Sequence, residues 1–191
     1  PEDVIYEAIG HCYDKMSNYA QARFNYRKAS HLNNEDTQLN YKIACTYMNE
    51  GIWDSAIKNL EIAMRIHRMQ PEYNLAMGQC YMEMNKLDDA ITYFGNVVRV
   101  RPKNVNGWIE LLNCLYKAEM LEEALEYAGF AFEQTDGKPI FLFYKSAFLY
   151  ALGKSKEALF YLEPGMSRNP KLIKKFIKIN LAILQVHQVV D

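Results

Sequence analysis

Glycine and proline are scarce in this chain, nine and six of 191 residues, and apolar residues recur every three or four positions along most of it. No alternating strand pattern is present, so the sequence reads as helical and globular. An excess of one charge is also missing. With 22 basic and 23 acidic residues, and a net charge of -1, the chain has no general attraction for nucleic acid or for an anionic membrane surface. No apolar run approaches the roughly 18 to 20 residues that a spanning helix needs. Pro1, Glu2 and Asp3 lack the positive and apolar regions of a signal peptide. Catalytic signals are absent as well. There is no glycine-rich phosphate loop, and His11, His31, His67 and His187 are scattered without a helical metal-binding spacing. An enzyme, a cofactor and a metal are therefore not expected.

What the sequence does contain is a period. Ala22, Ala56, Ala90, Ala124 and Ala158 recur every thirty-four residues. Alignment on that alanine gives five units without insertion or deletion, residues 3–36, 37–70, 71–104, 105–138 and 139–172, with a last segment at 173–191. Other columns follow. The fourth holds Tyr6, Asn40, Asn74, Trp108 and Leu142, and the eighth holds Gly10, Ala44, Gly78, Leu112 and Ser146. Tyr13, Tyr47, Tyr81, Leu115 and Leu149 form the eleventh. Beyond the alanine come Tyr26, Leu60, Phe94, Ala128 and Leu162, and then Ala29, Ala63, Val97, Ala131 and Gly165. Large and small residues alternate as two crossing helices require, the small ones letting backbones approach and the large ones filling the space. A hairpin of this size cannot bury its own apolar face. The units must cover one another in a solenoid.

These columns resemble the tetratricopeptide repeat family, whose unit carries a similar series of aromatic, small, tyrosine, alanine, aromatic, alanine and closing proline. Gly78, Tyr81, Ala90, Phe94 and Pro102 make the third unit the best match; Gly153, Ala158 and Pro170 carry the resemblance in the fifth, whereas Leu112 departs from it in the fourth. The resemblance implies an all-α, right-handed superhelix of five helix-turn-helix units with a C-terminal helix. It also implies protein-protein recognition without catalysis.

Helix punctuation sits where the period demands it. Gly51, Asn85 and Gly153 fall in the turns, and Asp54, Asp88 and Asp89 stand near helix starts, where a carboxylate meets free amides. Pro164 and Gly165 lie inside the second helix of the fifth unit, where a kink or an early end is expected. Cys12, Cys80 and Cys114 share the tenth column, with Cys45 one position earlier. Equivalent sites one repeat apart are too distant to bridge, and no zinc-type pairing occurs, so the cysteines read as small buried hydrophobes of a reducing compartment. That favours a cytoplasmic setting. Because the chain opens in register with a repeat, as if cut from something longer, a removed leader keeps a periplasmic one open.

In this kind of repeat the first helix lines the concave wall through its second, fifth, sixth, ninth, twelfth and thirteenth columns. The fifth reads Glu7, Tyr41, Leu75, Ile109 and Phe143; the ninth His11, Cys45, Gln79, Asn113 and Ala147; the twelfth Asp14, Met48, Met82, Tyr116 and Tyr150. From these, Tyr41, Met48, Leu75, Gln79, Met82, Ile109, Asn113, Tyr116, Phe143 and Tyr150 are the expected ligand-contacting residues. Apolar anchors of a peptide would enter among the methionines and tyrosines while Gln79 and Asn113 meet its main chain. The competing reading is that the stripe packs sideways on neighbouring first helices. Glu7 and His11, one turn apart, form an ordinary surface pair. The lysine, asparagine and arginine clamp by which some family members hold a terminal carboxylate is missing; its columns contain such sets as Glu7, His11, Lys42, Glu72 and Ala76.

The end of the chain carries a second signal. Residues 172–191 are largely apolar, with Lys171, Lys174, Lys175 and Lys178 along one stripe and Leu181, Ala182, Ile183 and Leu184 together. A capping helix is expected, with an outer side too apolar for a cap alone. Two functions from different classes remain. One is a groove that binds a peptide or partner protein, and the other is a scaffold or homodimer acting through Ile183 and Leu184.

Overall fold

The computed structural model describes residues 1–171. Ten helices follow one another: α1 (Glu2–Lys15), α2 (Tyr19–Leu32), α3 (Thr37–Asn49), α4 (Trp53–Met64), α5 (Pro71–Glu83), α6 (Leu87–Val100), α7 (Val105–Lys117), α8 (Leu121–Gln134), α9 (Ile140–Ala151) and α10 (Ser155–Arg168). There is no strand among the described residues. Each thirty-four-residue unit holds one helix pair, and the fold class is an all-α helical repeat. The expected self-association residues Ile183 and Leu184, and the C-terminal helix, lie outside the described residues.

Local chemistry sets the helix ends. The Asp36 side chain accepts from the Gln38 amide at 2.9 Å and that of Asn104 from the Gly107 amide at 3.0 Å, each taking up an amide that the first turn leaves unpaired. Pro71 opens α5, where its missing N–H costs no helical bond. Within every hairpin the turn passes through a left-handed residue: Ser17 (φ 57°), Gly51 (71°), Asn85 (59°), Glu119 (59°) and Gly153 (76°). These five stand at one column. Only three of them were expected, because serine and glutamate give no sign in sequence of a conformation that their side chains disfavour.

Two compact units divide the chain, one ending at Val100 and the next starting at Arg101. In the first, α1–α2, α3–α4 and α5–α6 form the hairpins, α2 packs on α3, α4 packs on α5, and α3 touches α5 directly. The core is the column pattern made solid. Ala22, Tyr26 and Ala29 pack with Leu39 and Ile43, and Ala44, Ala56, Ile57 and Leu60 with Ala76, Met77 and Cys80. Ion pairs between Glu7 and Lys42 and between Arg23 and Glu50 tie the first hairpin to the second. Glu7 thus meets Lys42 of the next repeat rather than pairing with His11.

The second unit stacks α7 on α8, α8 on α9 and α9 on α10. Nine of the twelve residues of α9 are buried, so this helix is covered nearly all round. Two expectations need correction here. Of the kink or early end expected at Pro164, the early end does not occur, because α10 runs through it to Arg168. The neighbouring Gly165 faces the Phe143 ring, which would lie 3.2 Å from a Cβ at that position, so close packing on α9 accompanies the interrupted backbone ladder. Nor are all four cysteines buried: Cys80 and Cys114 are, Cys45 is half-buried and Cys12 is exposed.

Candidate functional site

A cleft of about 220 Å³ opens between α3 and α5, lined by Tyr41, Cys45, Met48 and Asn49 from one helix and Glu72, Leu75, Ala76 and Gln79 from the other. Both helices are first helices of their repeats. On each, lining positions three or four residues apart fall on a single face, and the small Ala76 keeps the floor open. The lining is half apolar and half polar.

Tyr41 organises one wall. Its ring lies 5.1 Å from that of Tyr73 on α5, tilted by 33°. Tyr73 is held in turn by Thr37 at 3.1 Å and by Gln38 Oε1, also at 3.1 Å. Burial pushes the Tyr41 phenol well above its ordinary range, with the Cys45 thiol and the Glu72 carboxylate adding to the effect. Burial also raises the Cys45 thiol, to which the nearby Asp14 contributes. Both groups stay protonated at neutral pH, so Tyr41, Gln79 and Asn49 give the wall neutral hydrogen-bonding groups.

Four of the ten expected contact residues, Tyr41, Met48, Leu75 and Gln79, come together in this cleft. Met82 lies on α5, half-buried, outside the lining. Cys45, Asn49, Glu72 and Ala76 were not singled out. All four occupy columns assigned to the concave wall; an expectation of apolar and amide contacts passes over the acid, the alanine and the cysteine, whereas the amide Asn49 fits that expectation and was simply not chosen.

In the second unit Ile109, Asn113 and Tyr116 share α7, and Phe143 and Tyr150 lie on α9. Ile109, Asn113, Tyr116 and Tyr150 are half-buried. Phe143 is fully buried, packed on Gly165, and is withdrawn from the surface on which it was expected. Asn113 has an internal task, since its Oδ1 accepts from the Tyr144 hydroxyl at 2.9 Å. Tyr116 also leans inward, its ring 6.0 Å from that of Phe148. The sideways packing on neighbouring first helices that competes with ligand contact therefore applies to part of Tyr41, Asn113 and Tyr116, whereas Phe143 is buried against α10 of its own hairpin.

No grouping of three or more His, Cys, Asp or Glu side chains among the described residues is placed to hold a metal ion. No described helix is long and apolar enough to cross a membrane.

Residues 4–36 and 71–104 match the tetratricopeptide repeat model. The sequence has no significant match among curated proteins. Solved structures are similar over most of the chain. MamA superposes with a TM-score of 0.77 at 17% identity, covering 90% of this chain and 94% of that one. YrrB, described as a tetratricopeptide repeat protein with an unusual peptide-binding site, gives 0.69 at 18% identity, covering 86% and 85%. TTC0263 of Thermus thermophilus, a thermophilic protein of the same repeat type, gives 0.61 at 16%, covering 95% and 99%.

Proposed function

Given a chain that belongs to the tetratricopeptide repeat proteins, we propose that it is a non-catalytic binding module whose α3–α5 cleft receives a segment of a partner polypeptide. The observation that carries this reading is the cleft itself. Two first helices leave a space of about 220 Å³ between them, walled by Met48 and Leu75 and edged by Gln79, Asn49 and Glu72. A side chain of the partner enters between Met48 and Leu75, and the Gln79 amide meets a peptide group that would otherwise lose its water. Methionine adapts to more than one apolar shape, which suits a module serving several related segments. YrrB lends support, as its description assigns it a peptide-binding site on a similar fold.

The test is a selection of peptides from a random display library on the folded chain, followed by calorimetric titration. Alanine at Met48 and Gln79 should weaken the selected peptides by about tenfold or more, the loss expected of central contact residues, and should leave the helical circular dichroism unchanged. Equal affinity for wild type and double variant would sink the cleft as the site.

A further inference from the structure

The second helices of the repeats share three outward columns, the twenty-second, twenty-sixth and twenty-ninth. On α4 they hold Lys58, Ile62 and Arg65, and on α8 they hold Glu126, Phe130 and Glu133. Steps of four and three residues put each set on one side of its helix, and Arg65, just past the last residue of α4, keeps the helical torsions φ −58° and ψ −36°. Both sides are open. Ile62 is 41% exposed and Phe130 44%, and the four charged residues are exposed beside them. None of the four makes an ion pair among the described residues. The remaining second helices lack the pattern, since α2 has Phe24, Lys28 and His31, α6 has Thr92, Asn96 and Arg99, and α10 has Phe160, Pro164 and Ser167. Lys28 already lies over the Tyr6 and Phe24 rings, and Arg99 is bonded to Asn96.

We propose that the α4 side of one copy of this chain docks on the α8 side of a second copy. The occupant follows from charge and register. A large apolar residue stands at the middle column of both helices, and the charges four residues before it and three after it are basic on α4 and acidic on α8. Ile62 set against Phe130 therefore brings Lys58 and Arg65 to Glu126 and Glu133 whether the two helices run parallel or antiparallel. Two copies of the same side would oppose like charges instead. α8 contains no basic residue, and Glu61, the acid beside Ile62, lies within reach of the next hairpin, where, with burial the larger cause, it raises the Tyr81 and Tyr93 phenols. Burial of Ile62 and Phe130 supplies the attraction, and the ion pairs set the register and the salt dependence. One helix on one helix covers less than the roughly 1,200 Å² of a stable complex, so the association is weak and concentration-dependent. Both sides belong to second helices, whereas the cleft is lined from α3 and α5, so the two kinds of binding can be tested apart.

Sedimentation velocity of the whole chain, from about 1 µM to about 1 mM at low and at high salt, reads the association. The expected result is reversible self-association that added salt weakens and that Ile62→Ser weakens by about tenfold, as loss of a central anchor predicts. Charge reversal is the sharper test. Lys58→Glu with Arg65→Glu makes both sides of one chain acidic, and Glu126→Lys with Glu133→Lys makes both sides of another basic. Each reversed chain alone should stay monomeric, while an equimolar mixture should associate again, because every α4 then meets an α8 of opposite charge on the other chain. Circular dichroism checks that these surface variants fold, and glutamine replaces the reversed residue in any that does not. A wild-type chain that is monomeric throughout, or a mixture of folded variants that fails to associate, would overturn the proposal. So would self-association that survives both reversals, as a contact through Ile183 and Leu184 would produce.

Discussion

The Phe94 ring lies directly on Gly78, so closely that a Cβ added to the glycine would stand 2.5 Å from ring carbon Cε1. Gly10 and Tyr26 repeat the arrangement in the first hairpin, at 2.7 Å from Cδ1. The other hairpins set Ala44 with Leu60, Leu112 with Ala128, and Ser146 with Leu162 at the same two columns, every one of them buried. Volume is shared between the two positions. Leu112, the departure that makes the fourth unit look least regular, is matched by an Ala128 where its neighbours carry a large residue.

Gly78→Ala should therefore cost about 1–3 kcal/mol of stability, the usual penalty for overpacking a rigid contact. Adding Phe94→Leu recreates the alanine and leucine pair of the second hairpin. Urea unfolding of both single variants and the double should show a double variant more stable than the sum of the two losses predicts; simple additivity would refute the shared-volume account.

Glu119 adopts a left-handed backbone, φ 59°, at the column where Gly51 and Gly153 sit. A non-glycine residue there carries about 1–2 kcal/mol of strain, while glycine costs about 0.5–1 kcal/mol through its freer unfolded chain. Glu119→Gly should on balance raise the urea midpoint slightly, and Gly153→Ala should lower it. The opposite pair of shifts would show that the turns are not set by this torsion.

Asn113→Ala removes an acceptor from the buried Tyr144 hydroxyl and should lower stability by about 1–3 kcal/mol. The companion Tyr144→Phe should make the asparagine change cheaper, as a thermodynamic cycle would reveal. Because of this internal role, a loss of binding on Asn113 substitution would not by itself mark a ligand contact.

Burial raises the Cys80 thiol from 9.0 to about 12 and the Tyr26 phenol from 10.0 to about 12. With folded values above the unfolded ones, the unfolded chain releases these protons first. The stabilisation is complete below about pH 9 and falls as pH climbs toward 12. Denaturation midpoints measured across that window should decline, and less steeply for Cys80→Ala. At mildly alkaline pH an alkylating reagent should modify Cys12 in the native chain and reach Cys80 and Cys114 only on unfolding.

Much of the fold was readable in the sequence because stacking repeats write their packing twice, once in each helix, at fixed columns. The alanines at 22, 56, 90, 124 and 158 reach 0–4% exposure for that reason. What escaped was decided by neighbours. Phe143 is buried because Gly165 receives its ring, and Pro164 is tolerated in a helix that packs there; neither follows from a column read alone. Cys12 is exposed although its column is buried in the next two repeats, because the α2 and α4 that close that column on α3 and α5 have no counterpart on α1 among the described residues. Half of the cleft was anticipated through Tyr41, Met48, Leu75 and Gln79. Glu72 was missed because an acid on a concave column looks like ordinary surface until Tyr41 and Gln79 are seen beside it.

The most direct test of the binding reading is amide hydrogen exchange on the whole chain with and without a peptide selected on it. The account predicts added protection concentrated in α3 and α5, residues 37–49 and 71–83, reduced by the Met48 and Gln79 substitutions. Protection confined to the outward helices α2 and α4, with α3 and α5 unchanged, would contradict it.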